Sequence, residues 1–199
     1  MPSAVALAQV TVSFRLADSD RGVDIYGAQL NIASQGNGTS SHLSAELFKS
    51  MAGIDLGHVP YKGTAPALTD LLGGQVEAMF DNLISAMPHV KSGRLKLLGV
   101  GGAKRVAAFP GAPAIAELLP GFRSETWMGI VAPPGTPPEI AAKLSGAVAR
   151  AVQEPDFRRF IIELQAEPVG NTPREMAEVL RQDTERWAQV IRAARITIQ

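Results

Sequence analysis

The chain predicts an α/β protein with a separate all-helical end, and three observations carry that prediction. Between residues 30 and 125, short apolar strand-like runs alternate with stretches of helical spacing. One of these runs passes through a glycine-bracketed turn directly into an amphipathic helix. Beyond about residue 135 only helical spacing recurs. Alternating strands and helices fold as an α/β lobe with a largely parallel sheet, and the helical remainder packs as its own region, with a boundary expected near residue 125.

Bulk properties narrow the function classes. At 199 residues the chain can form one good-sized domain or two small lobes with a real core. Hydrophobic residues make up 46% and charged residues 19%, which is ordinary for a soluble globular protein. The 19 Lys and Arg balance 19 Asp and Glu, so no basic face favours nucleic acid and no polybasic anchor favours a membrane. The chain has no cysteine, which removes disulfides, thiolate metal ligands and cysteine nucleophiles together. No apolar stretch reaches the length a membrane-spanning helix requires.

Residues 1–27 are expected to be irregular. Met1 to Phe14 are apolar but lack the basic start and the small-residue cleavage site of a signal peptide. Asp18, Asp20, Arg21 and Asp24 follow with no sustained period. The first informative element is Leu30 to His42, a short strand that turns through Gly36 and Gly38 into a helix. The two glycines permit the partly positive-φ path of such a switchback. Thr39, Ser40 and Ser41 supply capping oxygens and hydroxyls at the helix start. Leu43, Leu47, Phe48 and Met51 give residues 40–51 one buried stripe.

His58 to Tyr61 reads as extended, and Lys62, Gly63 and Thr64 turn the chain, with Thr64 as the expected N-cap and Pro66 just inside the next helix. Leu68, Leu71 and Leu72 are its buried side, and Gly73-Gly74 ends it. Val76 to Phe80 is a strand that delivers Asp81 and Asn82 at its C-terminal end. A helix over 83–92 is expected to be kinked or divided by Pro88. Leu95 to Val100 and Trp127 to Ala132 read as further strands, separated by a Pro- and Gly-rich loop with one helical turn near 114–119. Three helices remain, the last capped near Thr172 with Pro173 at its first position.

In an open α/β sheet, ligands bind beyond the carboxyl ends of the strands. Three strand ends here carry polar or flexible groups: Gly36 to Ser41, Tyr61 to Thr64, and Asp81-Asn82. A helix start leaves its first N–H groups unpaired at the positive end of the helix dipole, which suits an anion and most simply a carboxylate. The competing reading is a well-capped helix with nothing bound. Asp81 is either a solvated surface carboxylate or an acceptor for a ligand N–H or O–H. Lys62 is either a solvated charge or a complement to the anion. His42, His58 and His89 lack metal-ligand spacing and read as capping, packing or surface residues. Neither a nucleophile elbow nor a phosphate-binding P-loop occurs, and Gly36-x-Gly38 lacks the third glycine of a dinucleotide fingerprint. The pattern suits holding a small anion better than transforming it.

Gly36-Asn-Gly-Thr-Ser-Ser-His-Leu43, His58-Val-Pro-Tyr-Lys-Gly63, Ala65-Pro-Ala-Leu-Thr-Asp70, Gly74-Gln-Val76 and Met79-Phe-Asp-Asn82 occur in that order, followed by Trp127-x-Gly129, Ala132-Pro and Gly135-Thr-Pro137. This series, over about residues 27–194, closely resembles the tripartite tricarboxylate transporter receptors, the Bug or TctC family. The resemblance implies a periplasmic-binding-protein-like Venus flytrap of type II. Residues 28–125 would be its second, ligand-binding lobe, and 126–199 the crossover strand and C-terminal helices of an incomplete first lobe. It implies capture of a small carboxylate for membrane permease subunits, with no chemistry, no cofactor, no metal and no nucleic acid. The helix-start loop of the family corresponds to Gly38, Thr39, Ser40, Ser41 and His42. Tyr61, Lys62, Gly63 and Thr64 would border the cleft, and Asp81, beside Asn82, would help set selectivity.

The departures carry their own expectations. Family members begin with a signal peptide and a first-lobe sheet, which residues 1–26 do not match, and Arg195 replaces a glycine usual near the end of the last helix. The resemblance thus implies a periplasmic protein, whereas the chain as written would stay in the cytoplasm, as an N-terminally truncated member. Each large side chain left uncovered on the last helices forgoes about 1.5–3 kcal/mol, so self-association and impaired binding are expected. The alternatives are a ligand-sensing regulatory domain and, further off, a phosphate- or nucleotide-binding enzyme subunit.

Overall fold

The computed structural model describes residues 3–5, 10–14 and 30–197, the first two stretches by backbone alone. In chain order the elements are β1 (Ser3–Val5), β2 (Val10–Phe14), β3 (Asn31–Ser34), α1 (Ser40–Ala52), β4 (Gly57–Pro60), α2 (Thr64–Gly73) and β5 (Ala78–Asn82). They continue with α3 (Leu83–Lys91), β6 (Lys96–Val100), a 3-10 turn at Ile115–Glu117, β7 (Met128–Ile130), α4 (Pro138–Ala151), α5 (Pro155–Glu163) and α6 (Pro173–Ala193).

Five strands form one sheet in the order β4-β3-β5-β2-β6. β3 runs parallel to β4 and β5, while β2 runs antiparallel to both β5 and β6. The sheet is largely parallel, as the alternation predicts, with β2 as its antiparallel strand. The antiparallel strand comes from the stretch 1–27, expected to be irregular, which also supplies β1 as the antiparallel partner of β7. Val10, Val12 and Phe14 alternate with Thr11 and Ser13, a period-2 pattern that specifies a strand without any helix beside it. Residues 15–27 lie outside the described residues.

β5 is the centre of the larger core, with Ala78, Met79 and Phe80 all buried. A strand covered on both faces reads as a continuous apolar run. Successive side chains divide between the faces. Ile32 and Phe80 join Ala45, Leu56, Ile115 and Phe122 in one cluster, while Ala33 and Met79 join Ala67, Leu68, Leu71 and Leu95 in another. α1 ends at Gly53 and α2 at Gly74, each left-handed. α3 runs through Pro88 as one helix, neither divided nor ended there, and its last turn is closed by Ser92 N–H donating to the Pro88 carbonyl at 3.1 Å. The cap expected for α6 forms, with Thr172 N–H donating to Glu175 at 2.7 Å and Glu175 N–H to Thr172 Oγ1 at 3.3 Å.

The chain divides into two compact units between Glu125 and Thr126. One holds β1 and residues 126–189; the other holds β2, residues 30–125 and residues 190–197, so the segment expected to run from 126 to 199 as one region is split within α6. In the first unit, Val148, Val152, Ile161 and Ala166 form a small core. Ile140, Leu144, Phe157, Phe160 and Ile162 are exposed in the same unit, and the Phe157 and Phe160 rings stack at 6.4 Å. Exposed apolar patches promote association. The 199-residue chain should therefore sediment faster as its concentration rises, and the Phe157→Ser, Phe160→Ser double variant should do so less. Identical, concentration-independent sedimentation of the two proteins would show that this surface stays solvated.

Candidate functional site: three helix starts at one edge of the sheet

β3, β4 and β5 are neighbours running in one direction, and a helix follows each of them. Their C-terminal ends therefore bring the β3–α1, β4–α2 and β5–α3 turns to one edge of the sheet, the place where open α/β folds hold ligands. All eleven residues expected at the site lie along this edge: Gly38, Thr39, Ser40, Ser41 and His42 in the β3–α1 turn and the first turn of α1, Tyr61, Lys62 and Gly63 in the β4–α2 turn with Thr64 opening α2, and Asp81 and Asn82 at the end of β5. None of the three helices has an acidic residue in its first turn, so the positive ends of α1 and α2 are not offset from within, whereas at α3 the Asp81 carboxylate just before the cap accepts from Ser85.

The β3–α1 turn is shaped by glycine. Gly36 sits at φ 132° and Gly38 at φ 73°. A Cβ on Gly36 would lie 3.2 Å from the Tyr61 carbonyl oxygen, so a side chain here would also press on the β4–α2 turn. Thr39 is the N-cap in extended conformation, and its Oγ1 donates to the Gly36 carbonyl at 2.7 Å. The Gly38 N–H donates to His42 Nδ1 at 3.1 Å. Among the described residues, the N–H groups of Ser40 and Ser41 have no hydrogen-bond partner. These two backbone donors are the ones available to an anion.

The side chains divide the work differently from the sequence expectation. Ser41 is buried, and its Oγ donates to the Phe80 carbonyl at 2.5 Å, so this hydroxyl anchors α1 to β5 instead of facing a ligand. The His42 ring braces the turn through Gly38. At the second turn the N-cap is Gly63, at φ 105° and ψ −179°, a conformation open to glycine and not to the expected Thr64. Thr64 becomes the first helical residue. The Tyr61 hydroxyl donates to Asp70 Oδ2 at 2.7 Å. Burial and the neighbouring Asp70 push the phenol up to about 12. Lys62 is exposed and makes no ion pair among the described residues.

At the third turn Asp81 is only 1% exposed, which overturns the solvated-carboxylate alternative. Burial raises its pKa above the ordinary carboxylate value, opposed by hydrogen bonds from Ser85, Asn82 and Gln35. Gln35 Nε2 donates to Oδ1 at 2.8 Å and Ser85 Oγ to Oδ2 at 2.7 Å. Gln35 follows β3, and its carbonyl accepts the Gly63 N–H at 3.1 Å, so Asp81, Gln35 and Gly63 join the three turns in one chain of hydrogen bonds. Asn82 caps α3 by position alone, and its enclosed Oδ1 has no hydrogen-bond partner.

The residues expected at the ligand site did not include Ser34, Gln35, His58 or Ser85, although His58 was expected to cap, pack or lie at the surface. Ser34 and His58 meet because the parallel register sets Ile32 beside His58, and Ile32 and Ser34 share a face. Only the strand pairing could have shown this. Among the described residues, no group of three or more His, Asp or Glu is placed to hold a metal ion.

The fold that brings these three helix starts to one edge of the sheet matches solved structures of solute-binding proteins. Rpa4515 of R. palustris, solved with adipate, has a TM-score of 0.85 at 34% identity over 98% of this chain and 69% of that one. MatC (Rpa3494) of Rhodopseudomonas palustris, with bound malate, has a TM-score of 0.78 at 30% identity over 95% of this chain and 68% of that one. The pattern of the tripartite tricarboxylate transporter family receptor, TctC, matches residues 23–196, and the chain belongs to that family. A UPF0065 protein from the tcbD-tcbE intergenic region of Pseudomonas sp. (strain P51) is 37% identical over 165 residues, 82% of this chain. The chain spans about half of that relative, 49% of its length.

Proposed function

We propose that the chain is the ligand-holding part of a periplasmic solute receptor that captures a small di- or tricarboxylate, without transforming it, for the permease subunits of a tripartite tricarboxylate transporter. The observation that carries this is the pair of unpaired N–H groups at Ser40 and Ser41, at a helix start with no acidic residue in its first turn. A carboxylate accepts two such bonds at once, and charge-assisted bonds are about twice as strong as neutral ones. Exposed Lys62 adds positive charge at the neighbouring turn. The buried Asp81, engaged by Gln35 and Ser85, holds the turns in place. Adipate and malate, present in the two solved relatives, set the ligand class to test.

Calorimetric titration tests the proposal. Adipate or malate should bind with affinity that falls as salt is raised, and adipamide, the same skeleton without charge, should bind at least about tenfold more weakly. Equal binding of adipate and adipamide, or no binding of either dicarboxylate, would remove the carboxylate reading.

A further inference from the structure

The turn that presents Ser40 and Ser41 is braced by two stacked histidines. The His42 and His58 rings stack with centroids 3.8 Å apart and planes 6° from parallel. His42 Nδ1 accepts the Gly38 N–H at 3.1 Å. His58 Nε2 lies 2.6 Å from Ser34 Oγ, which accepts the Gly36 N–H at 3.2 Å. Both glycines of the turn are therefore tied to the stack, Gly38 directly and Gly36 through Ser34.

A backbone N–H can only donate, so His42 Nδ1 carries no proton and the ring is neutral with its hydrogen on Nε2. A proton added at Nδ1 would set donor against donor at Gly38. Two charged rings at this separation would also repel each other. We propose that Ser34, His58 and His42 form a positioning relay that keeps the 36–41 turn in its anion-accepting shape while the stacked imidazoles are uncharged, so that acidification opens the turn and releases the carboxylate. This rests on the carboxylate reading above.

The surroundings favour the uncharged state. Glu46 and Lys49 of α1 face the pair, with Lys49 bonded to Glu46 at 2.9 Å and 4.0 Å from Asp55. Arg195, which follows α6, lines a polar cavity of about 310 Å³ together with Asn37, His42, Glu46 and Lys49. Burial lowers the pKa of His42, with Lys49 adding to the shift and Glu46 opposing it. Burial, then the charge of His42, lowers His58 to about 4. Both shifts favour the uncharged rings at neutral pH, His42 charging below the ordinary histidine value and His58 only at about 4.

The test compares wild type with His42→Asn, whose side-chain oxygen keeps an acceptor near Nδ1 but does not titrate, and with His42→Phe, which keeps the ring and loses the acceptor. Amide exchange at Gly38 and adipate affinity are measured on the full chain from about pH 7.5 to about pH 4.5, over the range where far-UV circular dichroism shows the fold intact. Protonation of adipate and of Asp81 is common to all three proteins, so the ratio of affinities reports on the stacked histidine pair. Wild-type affinity should fall about tenfold further than that of His42→Asn, and Gly38 protection should collapse along the His42 titration curve. In His42→Phe the Gly38 amide should exchange fast throughout. Parallel affinity profiles for wild type and His42→Asn, or Gly38 protection that is flat across the titration, overturn the relay even if adipate binds well at pH 7.5. Failure of adipate and malate to bind any of the proteins at pH 7.5 overturns the carboxylate reading instead, and with it the release step.

Discussion

Ser40→Pro is expected to weaken carboxylate binding by about 10- to 100-fold while the fold stays intact, because it deletes one charge-assisted hydrogen bond of about 1.5–3 kcal/mol. Ser40 is the first residue of α1, where a proline's fixed φ suits the helix and its missing N–H breaks no internal bond. The residue before a proline must be extended, and Thr39 already sits at φ −72° and ψ 162°. The Ser40 carbonyl still accepts from Ser44 Oγ, a bond the substitution does not touch. Ser40→Ala keeps the N–H and removes only the hydroxyl, so its affinity should stay within about threefold of wild type. The comparison needs calorimetry with adipate or malate and a thermal melt of each variant. Wild-type affinity in a well-folded Ser40→Pro protein would move the anion away from the α1 start.

The start of α1 was legible in the sequence because its causes are local. Two glycines, a threonine cap and the spacing of Leu43, Leu47 and Phe48 fix the turn and helix whatever surrounds them. The same holds for the Thr172 to Glu175 cap. What was not legible depends on pairing across the chain. β2 takes its place between β5 and β6 from residues far upstream, and no local signal says which edge a strand will join. The fate of each hydroxyl at the site is equally non-local. Ser41 looks like a ligand donor until β5 brings the Phe80 carbonyl within 2.5 Å of it. His42 was expected to touch ligand and also, with His58, to cap or pack; the structure assigns it the capping part through Gly38. Asp81 was ambiguous between solvent and ligand because burial is a property of the whole sheet. Its two oxygens turn out to gather Gln35 and Ser85.

Phe80→Ala carries the largest expected loss of stability, about 3–5 kcal/mol, the usual cost of emptying an aromatic site in a core. Phe80 is fully buried, meeting Phe48 edge-on at 5.9 Å and Phe122 at 6.3 Å. The two rings left around the position, Phe48 and Phe122, can do little to collapse into the space. Small domains are stable by only about 5–15 kcal/mol, so the variant would lose a large share of its margin. The change also reaches the binding edge. Residue 80 supplies the carbonyl that anchors Ser41 and immediately precedes Asp81, and α1 rests on the Phe80 ring through Ala45 and Phe48. Amide exchange along β5 and α1 in a urea series is the suitable measurement, because Trp127 and Trp187 both belong to the other compact unit and would report on that unit. Loss of protection should spread from β5 into the first turn of α1, and carboxylate affinity should fall with it even under conditions where the sheet remains folded. A change under about 1 kcal/mol would mean the three rings do not form the packed centre of this lobe, and the helix start would then lack the rigid base its anion-binding role requires.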